Sequence, residues 1–549
     1  MESMRSSAQS SAQVSKSDKS CKFIFIAALL FFLAGLLHYI MSPLAIAGDT
    51  AMYLQCGQLL WQGQLPYIDF LDLNPPLIMY ISMIPALMSK LFAFNLALAG
   101  ALFTSFLALF AFMLTAGCAN FVLRRMAEEQ PENSHKTAFL ATALFTPVLL
   151  NGFAMFDFGQ REHLYSLFLL PYFLLRYGRY LPVCPEAQSA KVTGQAHNSE
   201  RLLAVLVGLS FGLMLSFKPH FLLAPALLEL YWLARYRKPR LLLSPEIIVA
   251  PLPMVLYLGS FFIMPADIKA IYFGEIAPLL VKGYACFNIV KDVVVNMVWR
   301  FSIAAYFLSL LLLLAIPKQL ALRAPLAIML SAALALIELQ QKFWNYHALP
   351  LYLWEAFILL LVLILFCRAL RGTVKKTFAY GALGTSFLVF QGGCFLFHDL
   401  VEKNWLRPWD KYLAQNSQAG DSALLLDTSD TPWFKTALRF NLKPGSRYLW
   451  LYAVPMLQYQ IDNGKAQERE KATAALEALF ANLAKEIDSR KPKYVLIKRK
   501  EAFGMKPELD FHRFLLDRGL AAPLSQYDTV EDYGDNLLLV RKITGKRQG

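Results

Sequence analysis

The sequence predicts a mainly α-helical polytopic membrane protein of about eleven transmembrane helices, with a C-terminal α/β domain outside the membrane. Three observations carry this. Of 549 residues, 57% are hydrophobic and 17% charged, whereas soluble domains carry about a quarter charged residues. Apolar runs of about 20 residues, the length that crosses a bilayer, recur as far as residue 398. After residue 400 charges become frequent and alternate with short apolar stretches.

Residues 1–22 are polar, Ser-rich and free of aromatics, which predicts a disordered cytoplasmic tail. Lys16, Lys19 and Lys22 precede the apolar run 23–41. That run is too long for a signal-peptide core and lacks a small-residue cleavage site, so it reads as an uncleaved anchor. Further spans are expected near 95–122, 138–156, 164–180, 202–217, 219–234, 241–263, 298–316, 324–340, 349–367 and 377–398. The apolar piece 77–93 opens on Pro75-Pro76 and contains Pro85 and Lys90. It reads as interfacial or re-entrant, for a topological reason. With 77–93 outside the count, the clusters Arg124-Arg125, Arg176 to Arg201 with Lys191, Arg235 to Arg240, Lys318 with Arg323, and Arg368 to Lys376 all join the N-terminus in the cytoplasm. Counting it as a span would invert every later loop.

These boundaries give a membrane domain over 23–399, with a large first outer loop at 42–94, and a soluble extracytoplasmic domain over 400–549. In the latter, 422–426, 448–452, 494–497 and 536–540 read as strands and 466–488 as an amphipathic helix. The net charge of +14 belongs to the basic loops. No basic stripe with interleaved aromatics points to nucleic acid. The 7 cysteines form no CxxC pair and no zinc spacing. Cys56 and Cys286 both face an oxidising compartment on this topology. No phosphate-binding glycine loop and no HExxH is present.

The outer loops collect the chemistry. Asp49 follows the first span. It reads either as a helix cap or as a carboxylate that deprotonates or orients a hydroxyl. Asp69 and Asp72 are either solvated loop residues or, with Asp49 and Asp157, oxygen ligands for a divalent metal such as Mg or Mn that the chemistry admits but does not require. Arg161, Glu162 and His163 stand together where two spans meet. Arg161 suits a phosphate through its planar fork, and Glu162 and His163 suit proton transfer. Lys218 and His220 flank Pro219 between two apolar runs, and Lys342 and His347 bracket an aromatic segment. These four, with Arg161, are candidates for holding a phosphate.

The segment Gln62-Gly63-Gln64-Leu65-Pro66-Tyr67-Ile68-Asp69-Phe70-Leu71-Asp72-Leu73-Asn74-Pro75-Pro76, after a carboxylate just past the first span, resembles the GT-C membrane glycosyltransferases. The resemblance is to the branch of the protein O-mannosyltransferases and the aminoarabinose lipid A transferases, over roughly residues 20–400. It implies transfer of a sugar from a polyprenyl-phosphate donor to a lipid, glycan or protein acceptor on the extracytoplasmic face of a bacterial inner membrane. It also implies that Asp49 acts on the acceptor. The aminoarabinose transferases carry Lys before the paired prolines, where this chain has Asn74. Phosphate contacts then fall to Lys218 or Arg161. The alternative is a non-enzymatic transporter or flippase of a lipid-linked glycan, which would place charges along a path through the bilayer. Here most ionisable groups sit at outer span ends, with Glu229 and Glu355 as exceptions.

Overall fold

The computed structural model describes residues 2–129, 135–181, 194–288, 297–404 and 407–542. Lys191, one of the loop cations above, lies outside them. The chain divides into two units. The first comprises 1–45, 104–259 and 289–400, and the second 46–103, 260–288 and 401–549.

Among the described residues nine helices are long and apolar enough to cross a membrane. The chain is a multi-pass membrane protein. Eight of the nine overlap expected spans, from Lys19–Met41 to Thr373–Val401. The differences have physical causes. Leu223–Tyr236 is a helix of only 14 residues, and Arg300–Ala315 is likewise short. The ninth, Ala266–Phe287, was not expected to span. It belongs to the second unit and contains a π-turn at Tyr272–Ile276. The first helix runs over Glu2–Met41. It takes in the stretch expected to be disordered, which contains no Gly or Pro to stop it.

Arg161–Tyr180 is too charged to register as a span, yet its 20 residues reach ~30 Å and nearly all are buried. Its charges are neutralised by pairing. Arg176 is fully buried and makes two bonds of 2.7 Å to the Glu229 carboxylate. It also donates to Glu246 at 2.8 Å and to Ser244 at 2.6 Å. Arg179 grips Glu246 with two bonds of 3.0 Å. Removing Arg176 strands the Glu229 carboxylate in the bundle and leaves Glu246 to Arg179 alone, and breaking such a buried pair costs about 3–5 kcal/mol. Arg176→Ala is expected to melt far below the parent in detergent, whereas Arg201→Ala, exposed on its helix, stays close to it.

The second unit is built on a five-stranded sheet of order β2-β1-β3-β5-β4. The strands are β1 Ser422–Leu426, β2 Lys443–Pro444, β3 Tyr494–Lys498, β4 Tyr527–Asp532 and β5 Asn536–Arg541. β1 runs parallel to β2 and β3, and β5 pairs antiparallel with β3 and β4. Leu424, Leu426, Val495, Ile497, Leu537 and Leu539 alternate onto one face. The helix Ala466–Arg490 covers them with Leu476, Phe480, Leu483 and Ile487 at helical spacing. The expected strand at 448–452 does not form. Its aromatic residues are buried as irregular chain that carries the first loop. Leu71 donates its amide to the Arg447 carbonyl at 2.6 Å and bridges to Tyr448. β4 escaped sequence reading because Tyr527–Asp532 is polar and largely exposed.

Candidate functional site

Two clusters of ionisable side chains stand out, one in each unit. In the second unit the helix Gly48–Trp61 presents Asp49 in its first turn, where the helix dipole favours a carboxylate. Asp49 does not cap that helix; Ala47 holds the cap position. Its neighbour is Asp430, from the loop Asp427–Pro432 that leaves the C-terminal end of β1. Burial, and then the Asp49 charge with its hydrogen bond, hold the Asp430 carboxyl well above the usual range. Asp430 therefore holds its proton more tightly than an exposed carboxyl does and shares it with Asp49. Position 48 must be glycine for this approach. A Cβ there would run into Thr431 Oγ1 and come within 2.8 Å of Asp430 Oδ2. Gly48→Ala is expected to lower stability by about 1–3 kcal/mol through overpacking and to lower activity. Gly259→Ala, with nothing within 4 Å, is the control for both readouts.

The other first-loop carboxylates are structural. Asp69 accepts the Leu65 amide at 2.8 Å and closes a turn. Asp72 is fully buried and accepts the Asn74 amide at 3.0 Å, the Asn74 side chain at 2.9 Å and Trp450 Nε1 at 3.5 Å. Burial pushes its carboxyl up and these bonds pull it back. Asn74 is a hub of the loop, since its carbonyl also accepts the Tyr67 hydroxyl at 2.6 Å.

In the first unit, Gly159 (φ 88°) turns the chain into the helix that begins at Arg161. Glu162 in that first turn is fully buried. Its Oε1 accepts a very short bond from Lys218 Nζ and lies 3.8 Å from His347 Nε2. Its Oε2 is buried without a hydrogen-bond partner among the described residues. Lys218 also donates to Gln340 at 2.9 Å and sits over the Tyr346 ring at 5.7 Å. Lys218, His220, Arg161 and Lys342 all lie within electrostatic reach of His347. Arg161, Lys342 and His347 are buried. Phe343, beside Lys342, takes a φ of 51°, rare for a bulky residue and a form of strain that gathers at functional sites. Lys218 thus meets Glu162 at a helix N-terminus, with Arg161 and Lys342 gathered around His347, an arrangement suited to an anion.

A comparison with solved structures decides the fold. ArnT from Cupriavidus metallidurans, solved bound to undecaprenyl phosphate, is similar over 94% of this chain and 98% of that one, at 11% identity and a TM-score of 0.52. The chain has the GT-C fold. This is the fold that the first-loop resemblance implied. The Archaeoglobus fulgidus oligosaccharyltransferase tethered with an acceptor peptide covers 94% of this chain and 74% of its own, at 12% identity and a TM-score of 0.44. No protein-family model and no curated protein matches the sequence.

On this GT-C scaffold the expected site residues separate. Arg161, Glu162, Lys218, His220, Lys342 and His347 come together. His163 does not join them. Its Nδ1 accepts the Gly159 amide at 3.2 Å and its Nε2 faces Asn151 Oδ1 at 3.0 Å, so both ring nitrogens fix the turn. Asp157 lies instead within electrostatic reach of Tyr39 and Tyr352. Among the described residues Asp49, Asp69, Asp72 and Asp157 do not form a group able to share a metal. Cys56 and Cys286 are not joined in a disulfide. Asp430 was missed by sequence reading. The available signal was the run Asp427-Thr428-Ser429-Asp430-Thr431-Pro432 directly after an apolar strand, since ligands gather at the carboxyl ends of parallel strands.

Asp427 in the same loop is buried, and burial pushes its carboxyl from the usual 3.8 to about 6. A raised folded pKa gives stability that is complete below pH 3.8 and lost as pH rises through about 6. Asp427→Asn keeps the acceptor for the Ser429 amide and removes the titration. Its melting temperature is expected to match the parent near pH 4 and exceed it at pH 7, by up to about 3 kcal/mol of stability.

Proposed function

We propose that the protein transfers a sugar from a polyprenyl-phosphate donor to a hydroxyl-bearing lipid, glycan or protein acceptor on the extracytoplasmic face of a bacterial inner membrane. The cationic cluster of buried Arg161 and Lys342 with half-buried Lys218 carries this reading most strongly. Such a cluster at a helix N-terminus in a membrane protein suits a lipid phosphate. Its fold neighbour ArnT binds undecaprenyl phosphate. Asn74 is committed to the first loop through its bonds to Asp72 and Tyr67, which leaves the phosphate to the cations.

In this reading the acceptor oxygen attacks the anomeric carbon of the sugar, with inversion. The bond from that carbon to the phosphate oxygen breaks, and the electron pair leaves on the phosphate, where Arg161, Lys218 and Lys342 stabilise it. The acceptor proton passes to Asp49. Asp430 sets the charge around Asp49 by retaining its own proton. Glu162 positions Lys218 by the bond between them. His220 and His347 complete the polar wall. A divalent metal is not needed for any of these steps.

The reading is tested by titrating purified protein with undecaprenyl phosphate and following its melting temperature. The expected result is saturable stabilisation that an alkyl alcohol of equal length does not give. Equal stabilisation by the alcohol would remove the phosphate from the account.

A further inference from the structure

The geometry points to a second site in the first unit that the transfer reaction does not use, a binding site for a divalent cation of the zinc type formed by His38, His398 and Asp399. His38 lies in the last turn of the first helix, and the other two lie near the end of Thr373–Asn404. Among the described residues these three form the one group of His, Cys and carboxylate side chains whose donor atoms all lie within 4.8 Å of one another.

The hydrogen bonds aim the donors. His398 Nε2 is 2.8 Å from the Ala45 carbonyl, which can only accept, so Nε2 carries the proton. His398 Nδ1 then presents a lone pair, and His38 Nε2 lies 2.9 Å from it. A backbone carbonyl that fixes the remote ring nitrogen is how metal-ligating histidines are commonly held. Asp399 Oδ1 accepts from Ser42 Oγ at 3.3 Å and stands 3.9 Å from His38 Nε2. Ligands around a tetrahedral zinc are roughly 3.3 Å apart. Measured from His38 Nε2, the His398 nitrogen needs to move out and the Asp399 oxygen in, by about half an ångström each. The rings are also walled in. Phe395 stacks on His38 with centroids 4.3 Å apart, and Phe156 lies 4.5 Å from His398.

Two imidazole nitrogens and one carboxylate oxygen suit zinc and its neighbours better than magnesium or calcium, and leave a fourth position for water. His38 and Asp399, each within three residues of the end of its membrane helix, have side-chain exposures of 13% and 38%. On binding, His38 Nε2 gives up its hydrogen bond to His398 and its proton shifts to Nδ1. The cation then replaces a single hydrogen bond with a three-point tie between the first helix and the last membrane helix.

The test uses full-length protein stripped with a chelator and loaded with Co2+ as a spectroscopic probe, then with Zn2+ in competition against a coloured chelator. One equivalent of Co2+ should give the strong visible bands of four-coordinate cobalt, and Zn2+ should displace it and raise the melting temperature. His38→Gln and His398→Gln should each weaken Zn2+ binding at least 100-fold, with their metal-free melting temperatures showing that they fold. Asp49→Asn should bind as the parent does. Absence of a bound equivalent in the parent, or equal binding by both histidine variants, would overturn the proposal.

Discussion

Replacing Asp49 with Asn is expected to reduce sugar transfer by roughly 100- to 10,000-fold, the usual contribution of a positioned proton acceptor. The side chain keeps its shape and its place in the first turn of its helix, so donor binding and melting temperature should change little. Asp430→Asn makes the informative contrast. Burial and the neighbouring Asp49 hold the Asp430 carboxyl well above the usual range, so in its protonated form it acts as a donor to Asp49. An amide also donates. Most activity should therefore survive below the pH at which Asp430 ionises. As pH rises far enough to remove the Asp430 proton, the parent gains a second negative charge beside Asp49 and its rate should change, while the Asn variant should not follow. An Asp430→Asn rate as low as that of Asp49→Asn would instead make Asp430 the proton acceptor.

Lys218→Gln is expected to weaken polyprenyl-phosphate binding by roughly 10- to 100-fold, the value of one or two charge-assisted hydrogen bonds. The lysine bonds both Glu162 and Gln340, so its loss also removes the cation bonded to the buried Glu162 and should lower stability. Glu162→Gln separates the two effects. It removes the carboxylate bonded to Lys218 and keeps an oxygen for it. Lipid-phosphate binding should then hold or tighten while the variant stays folded. If Glu162→Gln lost transfer as fully as Asp49→Asn with binding unchanged, Glu162 would be a proton-transfer group rather than a positioning one.

The membrane architecture was legible because it rests on hydropathy and run length, which neighbours do not alter. Eight expected spans recur for that reason. The helix Arg161–Tyr180, expected as a span over 164–180, shows what hydropathy leaves out. Its arginines look unfit for a bilayer until Glu229 and Glu246 are seen beside them, and those lie more than fifty residues away. The same holds for the site. Arg161, Glu162, Lys218, Lys342 and His347 were legible as polar groups at span ends, but the sequence cannot tell His163, spent on a local turn, from its neighbour Glu162. Asp69 and Asp72 could be read either as ligands or as solvated loop residues, whereas backbone and side-chain donors of their own loop occupy them. Asp430 lies 381 residues from Asp49 in sequence, and only the fold of the second unit brings the two together.

Polyprenyl phosphate is the product common to any sugar the donor carries, so its release tests the central claim most directly. Purified protein in liposomes, supplied with lipid-linked sugars and acceptor from the membranes that make it, should form free polyprenyl phosphate in proportion to enzyme, and Asp49→Asn should bind the lipid and form almost none. Movement of the intact lipid-linked sugar across the liposome membrane, with no polyprenyl phosphate formed by the parent, would contradict the account and establish a transporter.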